Sequence, residues 1–145
     1  MAATTKLDFG AQISDWARKS EARMLAVLRE STQRVVSKAQ SRIPVDSGFA
    51  RASIQASLSG MPPVGSGKPA KGQSYAYNGG AVVGVIAQAK IGDVIHVGWT
   101  ANYAGVLENG HSQQAPSGFV AISVMEWAAI VRAVTAEAQA IAGGG

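Results

Sequence analysis

The side chains best suited to chemistry lie between Asn102 and Phe119, in the stretch NYAGVLENGHSQQAPSGF. Glu108 stands three residues before His111, so a helical turn would put a carboxylate and an imidazole on one face. Such a pair can transfer protons, but it needs further groups that position it. The chain has one other histidine, His96, and no cysteine. Two histidines without a nearby third ligand are too few for a zinc site, and we expect no metal centre.

Motifs for covalent catalysis or nucleotide binding are also missing. The patterns GxSxG, HExxH and GxGxxG do not occur. The segment GSGKPAKG differs from a phosphate-binding loop because Lys68 is followed by Pro69 instead of Ser or Thr. We therefore expect no catalytic residue and no cofactor. A hydrolase at an acidic cleft would have to lose its activity on Glu108→Gln, and nothing in the sequence favours one.

Length and composition favour one domain over residues 1–145. A chain of 145 residues can bury a core without disulfides, and the lack of cysteine fits a reducing compartment. The N-terminus has no apolar stretch typical of a signal peptide, and no run approaches the roughly 18 apolar residues of a membrane span. We expect a compact protein without a membrane partner.

The net charge of +4 is unevenly distributed along the chain. Residues 1–45 carry a net +4, residues 46–90 a net +3 and residues 91–145 a net −3. A basic front and an acidic back suggest either pairing within the chain or head-to-tail contact between copies. Ordinary solvated faces are the plainer alternative.

A long helix is predicted from Phe9 to Ile43. Apolar residues recur there mostly at steps of three or four, and the first proline is Pro44. Such a helix of about 33 residues would be roughly 50 Å long. That exceeds the diameter of a compact domain of this size, so part of the helix should project or curve around something.

The polar face of this helix is basic. Arg18, Arg23 and Arg34 are candidates for contact with DNA or with an acidic partner. No cluster of aromatic or amide side chains accompanies them, so a solvated helix face is the more ordinary interpretation. A nucleic-acid-binding module stays as the alternative from a different functional class.

A turn and a strand follow the helix. Pro44 ends the helix, Asp46 can hydrogen-bond to nearby backbone, and Gly48 permits a positive φ. Residues Phe49–Leu58 alternate between apolar and polar, which predicts a half-buried strand whose first residues can instead form a helical turn.

Residues 59–80 form a long connection without periodicity. They contain three Pro, six Gly and three Ser, a composition that predicts a flexible loop. Lys68 and Lys71 lie within it and are further candidates for contact with DNA or a partner. We expect the loop to become ordered against a neighbouring subunit.

The remaining elements complete an α+β fold. Ala81–Lys90 and Val94–Thr100, joined by a turn at 91–93, predict a β-hairpin. With the strand in 49–58, this gives an antiparallel sheet of three to four strands. A broad apolar face over Val120–Ala142 predicts a C-terminal helix that packs on the sheet together with the N-terminal helix.

Two segments resemble a known family. The first is residues 42–54, RIPVDSGFARASI, which resemble the pattern P-V-D-[ST]-G-x-[LA]-R-x-S-I. The second is Asn102–Phe119, which resembles a pattern that has Tyr-Ala near its start, then Glu-x-Gly, and later a Pro and a Phe. Both are similar to the tail-component proteins of long-tailed bacteriophages, of the neck or tail-completion type found at the head–tail joint. The departures are mild: Ser117 and Gly118 stand where basic residues often precede the Phe, and Leu107 where Val is common. The order of predicted elements also agrees, and the resemblance covers most of the domain except residues 59–80.

The resemblance implies a structural role in the virion, with assembly in the host cytoplasm. Such proteins form rings, which we expect to be homo-oligomeric and hexameric, and contact tail-tube and head-completion or connector proteins. DNA would pass through the lumen. The same family also suggests an alternative, a tail terminator ring that stops polymerisation of the tail tube.

The two motifs supply the residues that we expect to serve folding and assembly. Tyr103, Leu107 and Phe119 should anchor the second motif to the sheet and the C-terminal helix. Glu108 should be a hydrogen-bond or ion-pair partner, with Arg51 as the expected cation, and residues 109–117 should be an exposed connection that touches a neighbouring subunit. The full set of structural positions is Pro44, Asp46, Gly48, Arg51, Tyr103, Glu108, Gly110, Pro116 and Phe119.

Overall fold

The computed structural model describes residues 5–109 and 118–143. They form an α+β fold in which a long N-terminal helix carries a small sheet and the C-terminal helices. In chain order the elements are α1 (Thr5–Arg42), α2 (Phe49–Ala52), β1 (Ile54–Ser57), α3 (Gly80–Gln88), β2 (His96–Trp99), α4 (Ala104–Glu108), α5 (Phe119–Met125) and α6 (Trp127–Gly143).

Helix α1 confirms the long helix predicted from the apolar spacing. It has 38 residues, which corresponds to about 57 Å. The amide of Ile43 still donates to the carbonyl of Ala39 at 2.9 Å, and Pro44 then prevents the helix from continuing. Among the α1 side chains whose burial is described, none before Ser31 is buried. The first half of α1 therefore contributes little to the described core.

The sheet is smaller than the sequence predicted. Within the described residues it has two strands, β1 and β2, paired antiparallel from Ile54 opposite Trp99 to Ser57 opposite His96. The short helical turn allowed for the start of 49–58 is present as α2. The prediction of three to four strands was too high because one of the predicted strands is a helix.

That helix is α3, where a strand over Ala81–Lys90 was predicted. Val82 and Ile86, four residues apart, are its buried side chains, with 3% and 0% of their surface exposed. The helix packs against β1 and α1. A run of apolar, β-branched residues this short fits either a strand or a buried helix, and here packing against two neighbours outweighs the β propensity. The predicted hairpin was therefore wrong.

The predicted C-terminal helix is present but broken. Helices α5 and α6 meet at Glu126 with a bend of 49°, and both pack against α1. No single helix in the described part of the chain is both long enough and apolar enough to cross a membrane. Only α5 and α6 taken together reach that length and composition.

Two buried clusters hold these elements together. One, which we call the motif core, consists of Ala39, Ile43, Ala50, Ala101, Ala104 and Phe119. The other consists of Val36, Ile54, Val82 and Ile86, and fixes β1 and α3 to α1. Trp99 packs against both clusters, so the end of β2 joins the two halves of the domain.

Candidate functional site

The two segments that carry the family resemblance meet in the motif core. Ile43 and Ala50 come from residues 42–54, and Ala104 and Phe119 come from the second segment. Phe119 is 2% exposed and its ring packs edge-on against Trp99, with ring centroids 5.1 Å apart. Two segments that are distant in sequence thus pack against each other, and we call this region of the protein the joint. Its residues serve packing.

Aromatic rings extend this joint toward the long loop. Phe49 stacks on Tyr103 at 6.2 Å and meets Tyr75 edge-on at 5.1 Å, measured between ring centroids. Tyr103 and Leu107 pack against the motif core. Burial raises the pKa of Tyr103 above its ordinary value, while a hydrogen bond with the backbone of Ala50 opposes the rise. The phenol is therefore neutral at physiological pH.

Glu108 caps helix α5. Its Oε2 accepts a hydrogen bond from the amide of Val120 at 2.8 Å, and its Oε1 accepts one from the amide of Ala121 at 3.0 Å. Its backbone carbonyl also accepts from the amide of Gly118 at 2.7 Å. Gly118, with φ 83°, offers no side-chain cap of its own. One residue therefore satisfies three amides at the start of α5, and its charge suits a helix N-terminus.

The expected ion pair between Glu108 and Arg51 was wrong. None of the ion pairs among the described residues joins these two side chains. The carboxylate is committed to the α5 amides, and Nε of Arg51 is buried without a hydrogen-bond partner. The hydrogen-bonding role assigned to Glu108 holds, but its partner is the backbone twelve and thirteen residues further along.

Gln40 links three elements and was not singled out by sequence reasoning. Its Oε1 accepts a hydrogen bond from Nε1 of Trp99 at 2.6 Å, and its Nε2 donates to the carbonyl of Arg51 at 2.9 Å. The residue is 6% exposed. A polar residue amid the apolar positions of a predicted helix is the only sequence signal that marks it.

Ser53 joins the first motif to the residues directly before the second. Its carbonyl accepts hydrogen bonds from the amide of Thr100 at 3.1 Å and from Oγ1 of Thr100 at 2.9 Å. Its hydroxyl accepts from the amide of Ala101 at 3.1 Å and donates to the carbonyl of Ala50 at 2.6 Å. The serine of the first motif therefore stabilises the joint from within.

The Gly/Pro-rich segment is tied to the joint at several points. It has no helix or strand up to Gly80, as predicted. The amide of Tyr75 donates to the carbonyl of Ser47 at 2.7 Å, and the amide of Gly65 donates to the carbonyl of Thr100 at 2.7 Å. Gly48 has φ 85°, and a Cβ there would lie 2.4 Å from the carbonyl oxygen of Tyr75. A glycine is needed for both reasons.

Basic and acidic parts of the sequence form ion pairs with each other within the chain. Arg34 binds Glu30 at 2.9 Å and Glu137 at 2.6 Å. Lys38, at 2.7 Å, and Arg42 both bind the carboxylate of Glu126. Basic residues of α1 thus pair with the acids of the C-terminal helices, which is one of the two arrangements that the charge split predicted.

These contacts shift the titration of the acids. Hydrogen bonds from Lys38 and then Arg42 hold the pKa of Glu126 below its ordinary value, and a hydrogen bond from Arg34 does the same for the pKa of Glu137. Hydrogen bonds to Glu137 and Glu30 in turn raise the pKa of Arg34. Glu126 and Glu137 are therefore ionised at neutral pH.

The other candidate contact residues lie on the surface. Arg23, Lys68 and Lys71 are exposed, and Arg18 has an exposed side chain 3.8 Å from Asp15. Arg34 differs in that one of its ion pairs, with Glu137, joins α1 to α6. The remaining four are spread over a helix and a loop.

Pro44 is buried and Asp46 is exposed, and both line a shallow cavity of about 250 Å³ with Gly48, Tyr103 and Leu107. Gly110, His111 and Pro116 lie outside the described residues. His96 is half-buried on β2. Within 5–109 and 118–143, no three acidic, histidine or cysteine side chains are grouped so as to hold a metal ion.

Two adjoining apolar grooves were not foreseen from the sequence. The α1/α6 groove, of about 520 Å³, is lined by Arg23, Met24, Val27, Leu28, Trp127, Val131, Thr135, Ala138 and Gln139. The sheet groove, of about 510 Å³, lies between α1, β2 and α5. The two share Leu28 and Trp127. Met24 is 65% exposed and Val124 57% exposed. Both grooves are lined mainly by apolar side chains, which makes them candidate surfaces for contact with another protein.

Comparison with known proteins agrees with the motifs. No curated protein and no solved structure matches the chain. Residues 8–110 match the model of the HK97-gp10-like family, described as "Bacteriophage HK97-gp10, putative tail-component". The match includes most of α1, the whole first motif, the sheet and α4. Since it covers well over half of the chain, the protein belongs to the HK97-gp10-like family of bacteriophage tail components.

Proposed function

We propose that this tail component forms a homo-oligomeric ring at the head–tail interface. The family resemblance suggests that the ring has six copies. There it completes the tail and joins it to the head, with the tail tube on one side and head-completion or connector proteins on the other. The observation that carries the proposal is the family match over residues 8–110. The protein would do this work through its surfaces, without a reaction.

The described surface supports an assembly role. The α1/α6 groove and the sheet groove expose apolar side chains around Trp127, itself 36% exposed. Apolar grooves on a protein surface are candidate sites for contact with another protein. The joint between the two motifs is packed and hydrogen-bonded from within, which suits a rigid building block.

A tail terminator ring is the alternative within the same family. The two roles differ in the particles that accumulate when the protein is missing. We expect a lysate from a phage lacking this gene to contain filled heads beside free tails of normal length. Overlong tails would instead show that the protein stops tail-tube polymerisation.

A nucleic-acid-binding module is the weaker alternative, because much of the positive charge of α1 is paired with acids of the same chain. Arg34, Lys38 and Arg42 all bind carboxylates of the same chain. Salt-dependent DNA binding by the isolated protein, abolished by neutralising Arg18, Arg23 and Arg34, would support a nucleic-acid-binding function. We expect the purified protein to bind DNA weakly at physiological salt.

A further inference from the structure

We propose that helix α6 is an arm that swings on a hinge at Glu126. It moves between the docked position of this structure and a position in which α5 and α6 form one straight helix. Three side chains of α1, which we call the latch, hold the docked arm through ion pairs: Arg34, Lys38 and Arg42. The motion takes place within one copy, so the inference does not depend on the proposed ring.

The bend between α5 and α6 is confined to one residue. Glu126, with φ −86° and ψ −2°, follows the end of α5 and precedes α6. Its amide donates to the carbonyl of Ser123 at 3.2 Å, which is a three-residue step, and its carbonyl accepts from the amide of Ile130 at 2.9 Å, which is the four-residue step of an α-helix. The two helix axes therefore diverge by 49° at a single position.

The sequence itself does not require this bend. Sharp bends in helices arise mostly at Pro, at Gly, or where a side chain interferes with the backbone hydrogen bonds. Residues 119–142 contain neither Pro nor Gly, and they are rich in Ala, which favours a continuous helix. Contacts with the rest of the chain must therefore hold the bend.

The contacts at the bend come from α1. Nη1 of Arg42 donates to Oγ of Ser123 at 3.0 Å. Arg42 and Lys38 also both bind the carboxylate of Glu126. Oγ of Ser123 in turn donates to the carbonyl of Phe119, four residues back, at 2.7 Å, an interaction that often bends helices. Helix α1 thus binds both the end of α5 and the hinge residue.

Few buried side chains hold the arm beyond the hinge. Among the α6 side chains whose burial is described, Ile130 and Val134 are the buried ones, with 6% and 5% of their surface exposed. The arm is also joined to α1 by Arg34 and Glu137 at 2.6 Å, and the side chain of this acid is 56% exposed. Ion pairs open to solvent contribute little individually and are screened by salt. We therefore expect a minor population with the arm undocked.

Straightening would move the end of the arm over a large distance. Helix α5 packs on α1 in its own right, so it can stay in place while α6 moves. Ile141 lies about 22 Å beyond Glu126 at 1.5 Å per residue. Removal of the 49° bend displaces that end by roughly 18 Å. The swing uncovers Ile130 and Val134, so the two positions differ in the apolar surface that the protein exposes.

Thiol labelling measures how often the arm opens, because the chain has no cysteine of its own. Val134→Cys places a buried thiol on the arm, and Val82→Cys places one at a comparably buried position of α3. Either thiol reacts with the reagent DTNB only when it is uncovered. An arm that opens by itself should make Val134→Cys react at least roughly tenfold faster than Val82→Cys. Equal rates would mean that α6 leaves only when the whole domain unfolds, which would overturn the proposal.

Removal of the ion pairs of the latch should raise the labelling rate of Val134→Cys. With Glu126→Gln and Glu137→Gln added, we expect an increase of about fivefold, since three partly exposed ion pairs are lost. Glu30→Gln is the matched control and should leave the rate unchanged, because Glu30 pairs with Arg34 inside α1. Raising the salt from roughly 0.01 M to 1 M should act like the double substitution, with the latch residues intact. A rate that responds to neither change would overturn the latch.

Pulsed electron paramagnetic resonance distinguishes a swing from local unfolding of α6. Spin labels on Ser37→Cys and Ala140→Cys, both at exposed positions, report the distance between α1 and the end of the arm. With Glu126→Gln and Glu137→Gln added, we expect a second population shifted by as much as roughly 18 Å, and unchanged helix content by circular dichroism. Faster thiol labelling with a single unshifted distance, or with loss of helix, would show local unfolding and overturn the hinge.

Discussion

The carboxylate of Glu108 lies 2.8 Å from the amide nitrogen of Val120, its hydrogen-bond donor at the start of α5. This contact brings together the two ends of the 109–118 connection. It also joins α4 to α5, which in turn packs on α1. Glu108, the acid of the second motif, thus caps helix α5, and its negative charge is favoured at the positive end of the helix.

Glu108→Ala should lower the free energy of unfolding by about 1–3 kcal/mol, because two α5 amides lose a charged acceptor. Glu108→Gln keeps a neutral acceptor and should cost about half as much. Urea titration followed by circular dichroism measures both. Glu21→Ala, an exposed acid on α1, is the control and should change stability by less than about 0.5 kcal/mol. Equal stability of Glu108→Ala and the wild type would refute the capping role.

The pairing of Glu126 with Lys38 and Arg42 should make stability depend on pH. Because the pKa of Glu126 is lowered in the folded state from an ordinary value of 4.5, its contribution is present above pH about 4.5 and is lost as the pH falls through the folded-state pKa. Glu126→Gln should therefore be less stable than the wild type at pH 7. The difference between them should shrink as the pH falls below about 4. A stability difference independent of pH would contradict the assignment.

Gly48→Ala should be more damaging than Gly72→Ala. Both glycines have positive φ, 85° and 76°, but only at Gly48 does a Cβ collide with backbone, the carbonyl oxygen of Tyr75. We expect about 1 kcal/mol of destabilisation at Gly72 from the left-handed conformation alone, and about 3 kcal/mol or more at Gly48. Thermal melts of the two variants compare them. Similar losses would mean that the loop can move away from the turn.

Replacing Gln40 should separate the three elements that it joins. Gln40→Met keeps the approximate volume but leaves Nε1 of Trp99 and the carbonyl of Arg51 without their partner. Each orphaned group costs about 1–3 kcal/mol, so we expect a loss of roughly 2–4 kcal/mol. Gln139→Met, at an exposed glutamine of α6, is the matched control and should be nearly neutral. Tryptophan fluorescence during urea unfolding reads out the change.

The elements with a long, regular pattern were predictable from the sequence. Helix α1 follows from apolar spacing and from Pro44. The charge split left pairing within the chain, head-to-tail contact and solvated faces open, and the ion pair between Arg34 and Glu137 is of the first kind. Helix α3 was missed because a ten-residue apolar run carries no decisive period, so its packing on β1 and α1 decided its structure. The break at Glu126 interrupts a continuous apolar pattern and leaves little trace in it.

The contacts inside the joint were harder to predict than its location. The two motifs marked the right segments, and the structure brings both into the motif core. Whether Glu108 binds Arg51 or the α5 amides depends on where the chain places the start of α5 after residue 117, and local sequence does not determine that position. Gln40 and the apolar grooves depend equally on distant contacts, since local pattern does not tell which side of a helix stays uncovered.

The most direct test of the central claim is a cryo-electron microscopy reconstruction of the head–tail junction in the intact phage. We predict a ring of identical copies between the tail tube and the head-completion or connector proteins, recognisable by the 38-residue helix α1. Finding the protein at the distal end of the tail, or as isolated copies without mutual contact, would contradict the account.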